Sequence, residues 1–276
     1  MSPHARDRAS EKRRNSKRQS ARAQREMDSR RNKQVLGIVV VMVVIIGGFV
    51  GASFALNRSN KSAPIAQARA QPTSARTAPA KPVPGCVAPP AVPTDKRSGT
   101  LPNKKIAAGK TFIATVTTSC GTITVELDGT KAPQTVASFL GLAKSGYWVN
   151  SPCHRLTTAD PLFVLQCGDP TGTGTGTPGY GYGVENAPAN FNYPAGTLAM
   201  ARTSDPNGNG GQFFIVYKDS TLNDPTGYSI FGKITSGMDI VDRVAAEGAL
   251  PADANQNTAP LQPISILAVN VTEKKA

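Results

Sequence analysis

The chain has 276 residues, among them 22 prolines and 26 glycines, and a formal net charge of +13, which makes nucleic-acid binding the first possibility to weigh. The placement of the charges excludes it. Residues 1–34 hold 12 Lys and Arg against 4 acids and residues 57–109 hold 9 against 1, whereas residues 110–276 hold 10 against 13, so the globular part lacks the positive face that phosphate binding requires.

Residues 1–34 are polar and without apolar periodicity, and are expected to form a disordered basic tail. From Val35 to Leu56 no charged residue occurs. As a helix this run would be about 33 Å long, enough to cross a hydrocarbon core of about 30 Å. A cleaved signal peptide, with Ser53 and Ala55 as the small residues before the cut, is the competing reading. The apolar run is too long for it, and so is the basic region ahead. Residues 35–56 are therefore expected to be a single transmembrane helix in contact with lipid. The basic flank sets the N-terminus in the cytoplasm and the rest of the chain outside. Residues 57–109 are rich in Ala, Pro, Ser, Thr and Lys and are expected to be an extended, disordered extracytoplasmic linker, with Cys86 as its one unusual residue.

Folded structure is expected near Thr111. Residues 112–118 and 122–127 alternate around a turn at Cys120-Gly121, which predicts an antiparallel hairpin. A first helix follows, with Pro133 at its start, Val136, Phe139, Leu140 and Ala143 on one face, and Gly146 as its stop. Cys153–Leu156 and Val164–Gly168 read as paired strands joined by a loop containing Asp160-Pro161. Four more strand candidates occupy residues 196–201, 212–217, 228–234 and 264–271, and Ser236–Glu247 shows helical spacing. Many short strands with two helices fit a closed barrel covered by helices better than a parallel α/β sheet. The run T-G-T-G-T-G-T-P-G-Y-G-Y-G has no following Lys-Ser or Lys-Thr and opens no helix, so it reads as a surface loop rather than a phosphate loop.

The stretch from Cys153 to Asp169, C-H-R-L-T-T-A-D-P-L-F-V-L-Q-C-G-D, concentrates the chemistry. His154 is the only histidine outside the N-terminal tail, and no G-x-S-x-G elbow accompanies it. Cys153 and His154, adjacent on a strand, would point to opposite faces and could not share a zinc ion. No metal and no cofactor is expected. An extracytoplasmic domain oxidises its thiols, so four cysteines predict two disulfides. A register that sets Cys153 opposite Cys167 sets His154 opposite Gln166 and Arg155 opposite Leu165. The expected pairs are then Cys153 with Cys167 across the hairpin, and Cys86 with Cys120 stapling the linker to the first hairpin.

C-H-R-L, then P-L-F-V-L-Q-C-G-D, G-T-L-A-M-A, N-G-G-Q-F-F-I and I-F-G-K-I, in this order over residues 111–272, resemble the cyclophilin family of peptidyl-prolyl cis-trans isomerases. The basic tail, apolar run and linker ahead of them look like those of membrane-anchored actinobacterial cyclophilins. The resemblance implies an eight-stranded antiparallel barrel closed by helices at both ends, spanning residues 110–276. It implies Arg155 as catalytic residue and Phe163, Met200, Phe214 and Leu222 as apolar walls for a substrate proline. Gln166 and Gln212 would bond the peptide backbone or orient Arg155, Ala201 and Arg202 would border the groove, and Tyr228 stands where the family often has histidine. Phe213, on the alternate face of its strand, is expected in the core.

This reading makes the chain an isomerase of proline-containing polypeptides in exported or cell-envelope proteins, working without nucleophile or metal because no bond breaks. A non-catalytic proline-binding chaperone or scaffold is the alternative from another class, and a structural envelope protein that binds no peptide is a third. Three departures from the family pattern bear on the pocket. Cys153 replaces an aromatic residue, the loop between Arg155 and Phe163 is three residues longer, and Thr221 stands at a position often aromatic, with the single Trp148 elsewhere. Weak cyclosporin binding with retained activity is the expected result.

Overall fold

The computed structural model describes residues 83–275. The expected basic tail (1–34), the expected transmembrane run (35–56) and the first part of the expected linker (57–82) lie outside the described residues. Among the described residues no helix is long and apolar enough to cross a membrane.

Eleven strands and two α-helices follow one another in the described residues. They are β1 (Thr111–Thr118), β2 (Gly121–Asp128), α1 (Pro133–Lys144), β3 (Ser151–Pro152), β4 (Arg155–Leu156), β5 (Val164–Cys167), β6 (Asn192–Tyr193), β7 (Thr197–Met200), β8 (Phe213–Val216), β9 (Ser220–Thr221), β10 (Ile230–Ser236), α2 (Met238–Ala246) and β11 (Ser265–Glu273). Nine of the strands make one antiparallel sheet in the order β3-β11-β1-β2-β10-β7-β8-β5-β4, and β6 pairs with β9 as a separate ribbon. The sequence predicted a closed eight-stranded barrel. The hydrogen-bonded order is instead a curled nine-stranded sheet whose two edge strands, β3 and β4, do not pair with each other. The expected strand at Cys153–Leu156 is the reason for the difference. Its first residue turns away, with Cys153 N–H donating to Ile264 O at 2.9 Å, so pairing with β5 begins only at Arg155.

Alternation builds the core. In β1 and β2 every second residue is buried, which sets Phe112, Ala114 and Val116 on the same face as Ile123, Val125 and Leu127. Helix α1 covers that face with Val136, Phe139 and Leu142; the expected Leu140 and Ala143 only flank it. Trp148, 1% exposed, packs with its ring tilted 4.6 Å from that of Phe139 and edge to face 5.6 Å from that of Phe213, and its indole N–H donates to Gly211 O at 3.0 Å. Phe213 is a core residue as expected.

Helix α1 has alanine at its N-cap position and no side-chain cap of its own. A remote residue supplies it: the Glu185 carboxylate accepts from Gln134 N–H at 3.1 Å and from Thr135 N–H and hydroxyl at 2.9 Å. These are the orphan donors of a helix start, where negative charge also meets the positive end of the dipole. Glu185→Ala is expected to destabilise the domain by about 1–2 kcal/mol in urea unfolding, and Glu185→Gln by less.

Order begins before Thr111. Val87 N–H donates to Ser119 O at 2.7 Å, Gly99 N–H to Pro178 O at 2.8 Å, and Arg97 Nη1 to Tyr147 O at 3.0 Å and Val149 O. Ala107, following a 3-10 turn at Lys104–Ile106, is fully buried. The proline-rich composition of residues 83–109 hides this because, apart from short turns, the bonds that hold the segment go to the body of the domain. Both expected disulfides are closed, Cys86 to Cys120 and Cys153 to Cys167.

Candidate functional site

Strands β4, β5, β8 and β7 lie side by side and bring one row of residues into register: Arg155 opposite Gln166, Gln166 opposite Phe214, Phe214 opposite Ala199. The predicted register, with Arg155 opposite Leu165, is one residue out. A one-residue slip exchanges the faces of a strand, so the observed register is what places Arg155 and Gln166 on the same side. The slip arises at Cys153 and His154, both buried, where alternation breaks as the chain passes from β11 to β5. The cysteine pair is nonetheless the predicted one.

A chain of side-chain hydrogen bonds runs along this face. Arg155 Nη1 donates to Gln166 Oε1 at 3.1 Å, Gln166 Nε2 donates to Gln212 Oε1 at 2.9 Å, and Gln212 Nε2 donates to Gly174 O and Gly176 O, each at 3.0 Å. Partial burial pushes Arg155 below its ordinary value, with Tyr228 acting weakly the other way, yet a guanidinium stays charged throughout the physiological range. One of its five N–H donors is used by Gln166, and the others remain for a ligand.

Beside Arg155 an apolar cluster sits on the face of the sheet turned away from the main core. Val164, Tyr193, Ala199, Phe214 and Val216 are its buried members, with Leu162, Ala201, Leu222, Tyr228 and Ile230 partly buried around them. The β6–β9 ribbon covers one side and carries Leu222, whose N–H donates to Phe191 O at 3.0 Å. The rings of Phe214 and Tyr228 meet edge to face at 5.7 Å. Of the expected walls, Phe214 and Leu222 are here, and Tyr228 and Ala201 border them.

Two expected walls are elsewhere. Met200, 2% exposed, belongs to the main core, because it pairs with Phe213 on the inward face of β7. Phe163 precedes β5 and is not part of the apolar cluster; its ring lies 6.0 Å from that of Tyr217 and 4.5 Å below Lys218 Nζ. The longer loop is held against the ribbon strand, with Thr221 N–H donating to Pro161 O at 2.9 Å and Phe163 N–H to Ser220 Oγ at 2.9 Å. Val164 fills the wall in their place. Period two from Gln166 would have found it, since residues 164 and 166 share a face. Arg202 borders the site as expected, but its own contacts occupy it: Nε donates to Gly227 O, Nη1 to Thr203 O, Nη2 pairs with Asp224, and the guanidinium lies 4.9 Å from the centre of the Tyr228 ring.

Next to this cluster, sharing Gln166, Gln212, Ala201 and Arg202 as one wall, is a cleft of about 520 Å³. Its far wall is the Gly174–Gly181 loop, and glycines 208, 210 and 211 line it too. An extended peptide could lie across Gln166 and Gln212 with one side chain in the apolar cluster and another in the cleft.

His154 lies behind the site, 3% exposed, with no well-formed hydrogen bond to either ring nitrogen. Burial lowers its pKa below 6.5, and Asp169 opposes the shift only in part. The unfolded chain therefore takes up its proton at a higher pH than the folded chain, so stability is expected to decline as pH falls through about 6.5 toward the lower folded-state value. His154→Asn should flatten this decline in denaturant titrations at a series of pH values.

A sequence model of the family described as "Cyclophilin type peptidyl-prolyl cis-trans isomerase/CLD" matches residues 113–271. Among curated proteins, a probable peptidyl-prolyl cis-trans isomerase B of Mycobacterium leprae is 41% identical over 165 residues, covering 53% of this chain and 55% of that protein. A peptidyl-prolyl cis-trans isomerase-like 1 of Aspergillus niger is 38% identical over 160 residues, covering 57% of this chain and 93% of its own length. This chain spans about half the length of the mycobacterial relatives it matches. Among solved structures, a cyclophilin type peptidyl-prolyl cis-trans isomerase of Cryptosporidium parvum is 29% identical with a TM-score of 0.49, covering 60% of this chain and 99% of the other.

Proposed function

The chain belongs to the cyclophilin-type peptidyl-prolyl cis-trans isomerase family, and on that premise we propose that its folded domain accelerates rotation about Xaa-Pro peptide bonds. The observation that carries the reading is the Arg155–Gln166–Gln212 hydrogen-bond chain set against the Phe214, Leu222 and Tyr228 cluster. Rotation about the prolyl bond is slow because amide resonance must be lost, at a barrier of about 18–20 kcal/mol. An apolar cluster that takes the proline ring removes water from the bond. A guanidinium beside it donates to the prolyl nitrogen as that atom becomes pyramidal, which favours the twisted state over either planar one. The glutamines hold the guanidinium in place and offer the peptide backbone its bonds.

The reading extends to the rest of the chain. The two edge strands of the sheet are separated by only Cys153 and His154, which supports a barrel closed through that segment. The uncharged run 35–56 behind a basic tail supports a single membrane pass with the N-terminus inside, and two disulfides suit an oxidising compartment outside. Its substrates would then be exported or cell-envelope polypeptides. Cyclosporin should bind weakly, because Thr221 offers no aromatic edge and Phe163 is drawn to Tyr217. Nanomolar inhibition in an isomerase assay would count against that arrangement.

Exchange NMR on a short Ala-Pro-containing peptide tests the activity. Faster cis-trans exchange with the full-length chain is the expected result. Binding without faster exchange would make the domain a proline-binding chaperone or scaffold, and no binding would make it structural.

A further inference from the structure

Asp169 is fully buried at the start of the glycine-rich loop, and the isomerase reading gives it no task. Its Oδ1 accepts from the Thr171 N–H and hydroxyl, both at 2.8 Å, and its Oδ2 accepts from Gly176 N–H at 3.0 Å. A Cβ at position 176 would collide with this carboxylate, so only glycine lets the loop close on it. Burial would raise the carboxyl pKa, but the Gly176 and Thr171 donors outweigh it and hold the group below the ordinary carboxylate range.

The loop folded in this way turns the carbonyls of Gly174 and Gly176 toward Gln212, and both accept from its Nε2. A primary amide has a donor side and an acceptor side. With Nε2 committed to the loop, Gln212 must present Oε1 to Gln166, which answers with Nε2 and so turns its own Oε1 toward Arg155. Reversing Gln212 would set amino group against amino group. If Gln166 then turned over as well, its NH2 would face the guanidinium, donor against donor.

We propose that Asp169 is a positioning residue for Arg155: by holding the 169–176 loop so that two carbonyls face Gln212, it sets the polarity of both glutamine amides and, through them, the orientation of the guanidinium. The inference rests on Arg155 being the catalytic residue, and its second readout does not depend on activity. Asn257, whose Nδ2 donates to Thr173 O at 2.7 Å, steadies the same loop from outside the relay.

The test is Asp169→Asn in the full-length chain, labelled with nitrogen-15 at arginine. The expected result is a fall in kcat of about tenfold with KM changed less than about twofold, since misorientation affects the twisted state more than peptide docking. The Arg155 Nη–H signals, assigned by their loss in Arg155→Lys, should broaden as the guanidinium turns freely. Should Asp169→Asn fail to fold, Asn257→Ala is expected to give the same two changes at about a third of the size. A folded variant with unchanged kcat and wild-type Arg155 signals overturns the proposal. Altered Arg155 signals in a chain whose wild type accelerates no exchange would support the relay and sink the isomerase reading instead.

Discussion

Arg155→Ala is expected to lower kcat/KM for an Xaa-Pro peptide about 10²–10³-fold while the chain stays folded and still binds peptide. The reasoning begins with what the guanidinium touches. Among its side-chain neighbours it donates to Gln166 alone, and the apolar cluster that would take the proline is built by other strands. Truncation removes a donor that matters most when the prolyl nitrogen is pyramidal, so the loss belongs in kcat rather than in KM. Burial of the charge is itself unfavourable, which argues against a large loss of stability. Arg155→Lys should recover little, because an ammonium cannot bond Gln166 and the substrate with the fixed fork of a guanidinium. Exchange NMR and an unfolding curve on the same samples check both halves. A variant with wild-type exchange would remove Arg155 from the mechanism.

Reducing the disulfides is expected to bring the domain close to its unfolding threshold. Cross-links separated by 14 and 34 residues restrict the unfolded chain by about 3 and about 4 kcal/mol. Together these are comparable with the total stability of a typical domain, about 5–15 kcal/mol. The two bonds act on different parts. Cys86–Cys120 fastens the segment that then bonds Ser119, Pro178 and Tyr147, so Cys86→Ser with Cys120→Ser should speed hydrogen exchange at Val87 and Gly99 while leaving activity nearly intact. Cys153–Cys167 brackets Arg155 and Gln166, so its loss should lower activity as well as stability. Urea unfolding with and without reductant measures the sum. Unfolding midpoints that coincide would show that neither bond restrains the unfolded chain.

Alternation and ordered motifs made the longer strands and both helices legible in the sequence alone, while the two-residue strands β3, β6 and β9 were not, and the cysteine pairs were named correctly although the register behind one of them was one residue out. Arg155, Gln166, Gln212, Phe214 and Leu222 came from the resemblance to the cyclophilin family, whereas alternation along an uninterrupted strand put Phe213 on the core face. What failed lay where the pattern is interrupted. The bend at Cys153 and His154 shifted the register by one residue, which only the pairing of Cys153 with Ile264 reveals. Met200 was expected in the pocket and lies in the core, and Val164 was not named at all, because motif position does not tell which face is inward. Residues 83–109 looked like free linker because their bonds go to distant partners. The capping of α1 by Glu185 and the hold of Asp169 on the loop before Gln212 likewise join elements far apart in the chain. The sequence by itself determined which residues alternate, turn and carry charge; the tertiary structure alone decided which of them meet, because hydrogen bonds and burial between remote segments depend on how the sheet curls rather than on any local period.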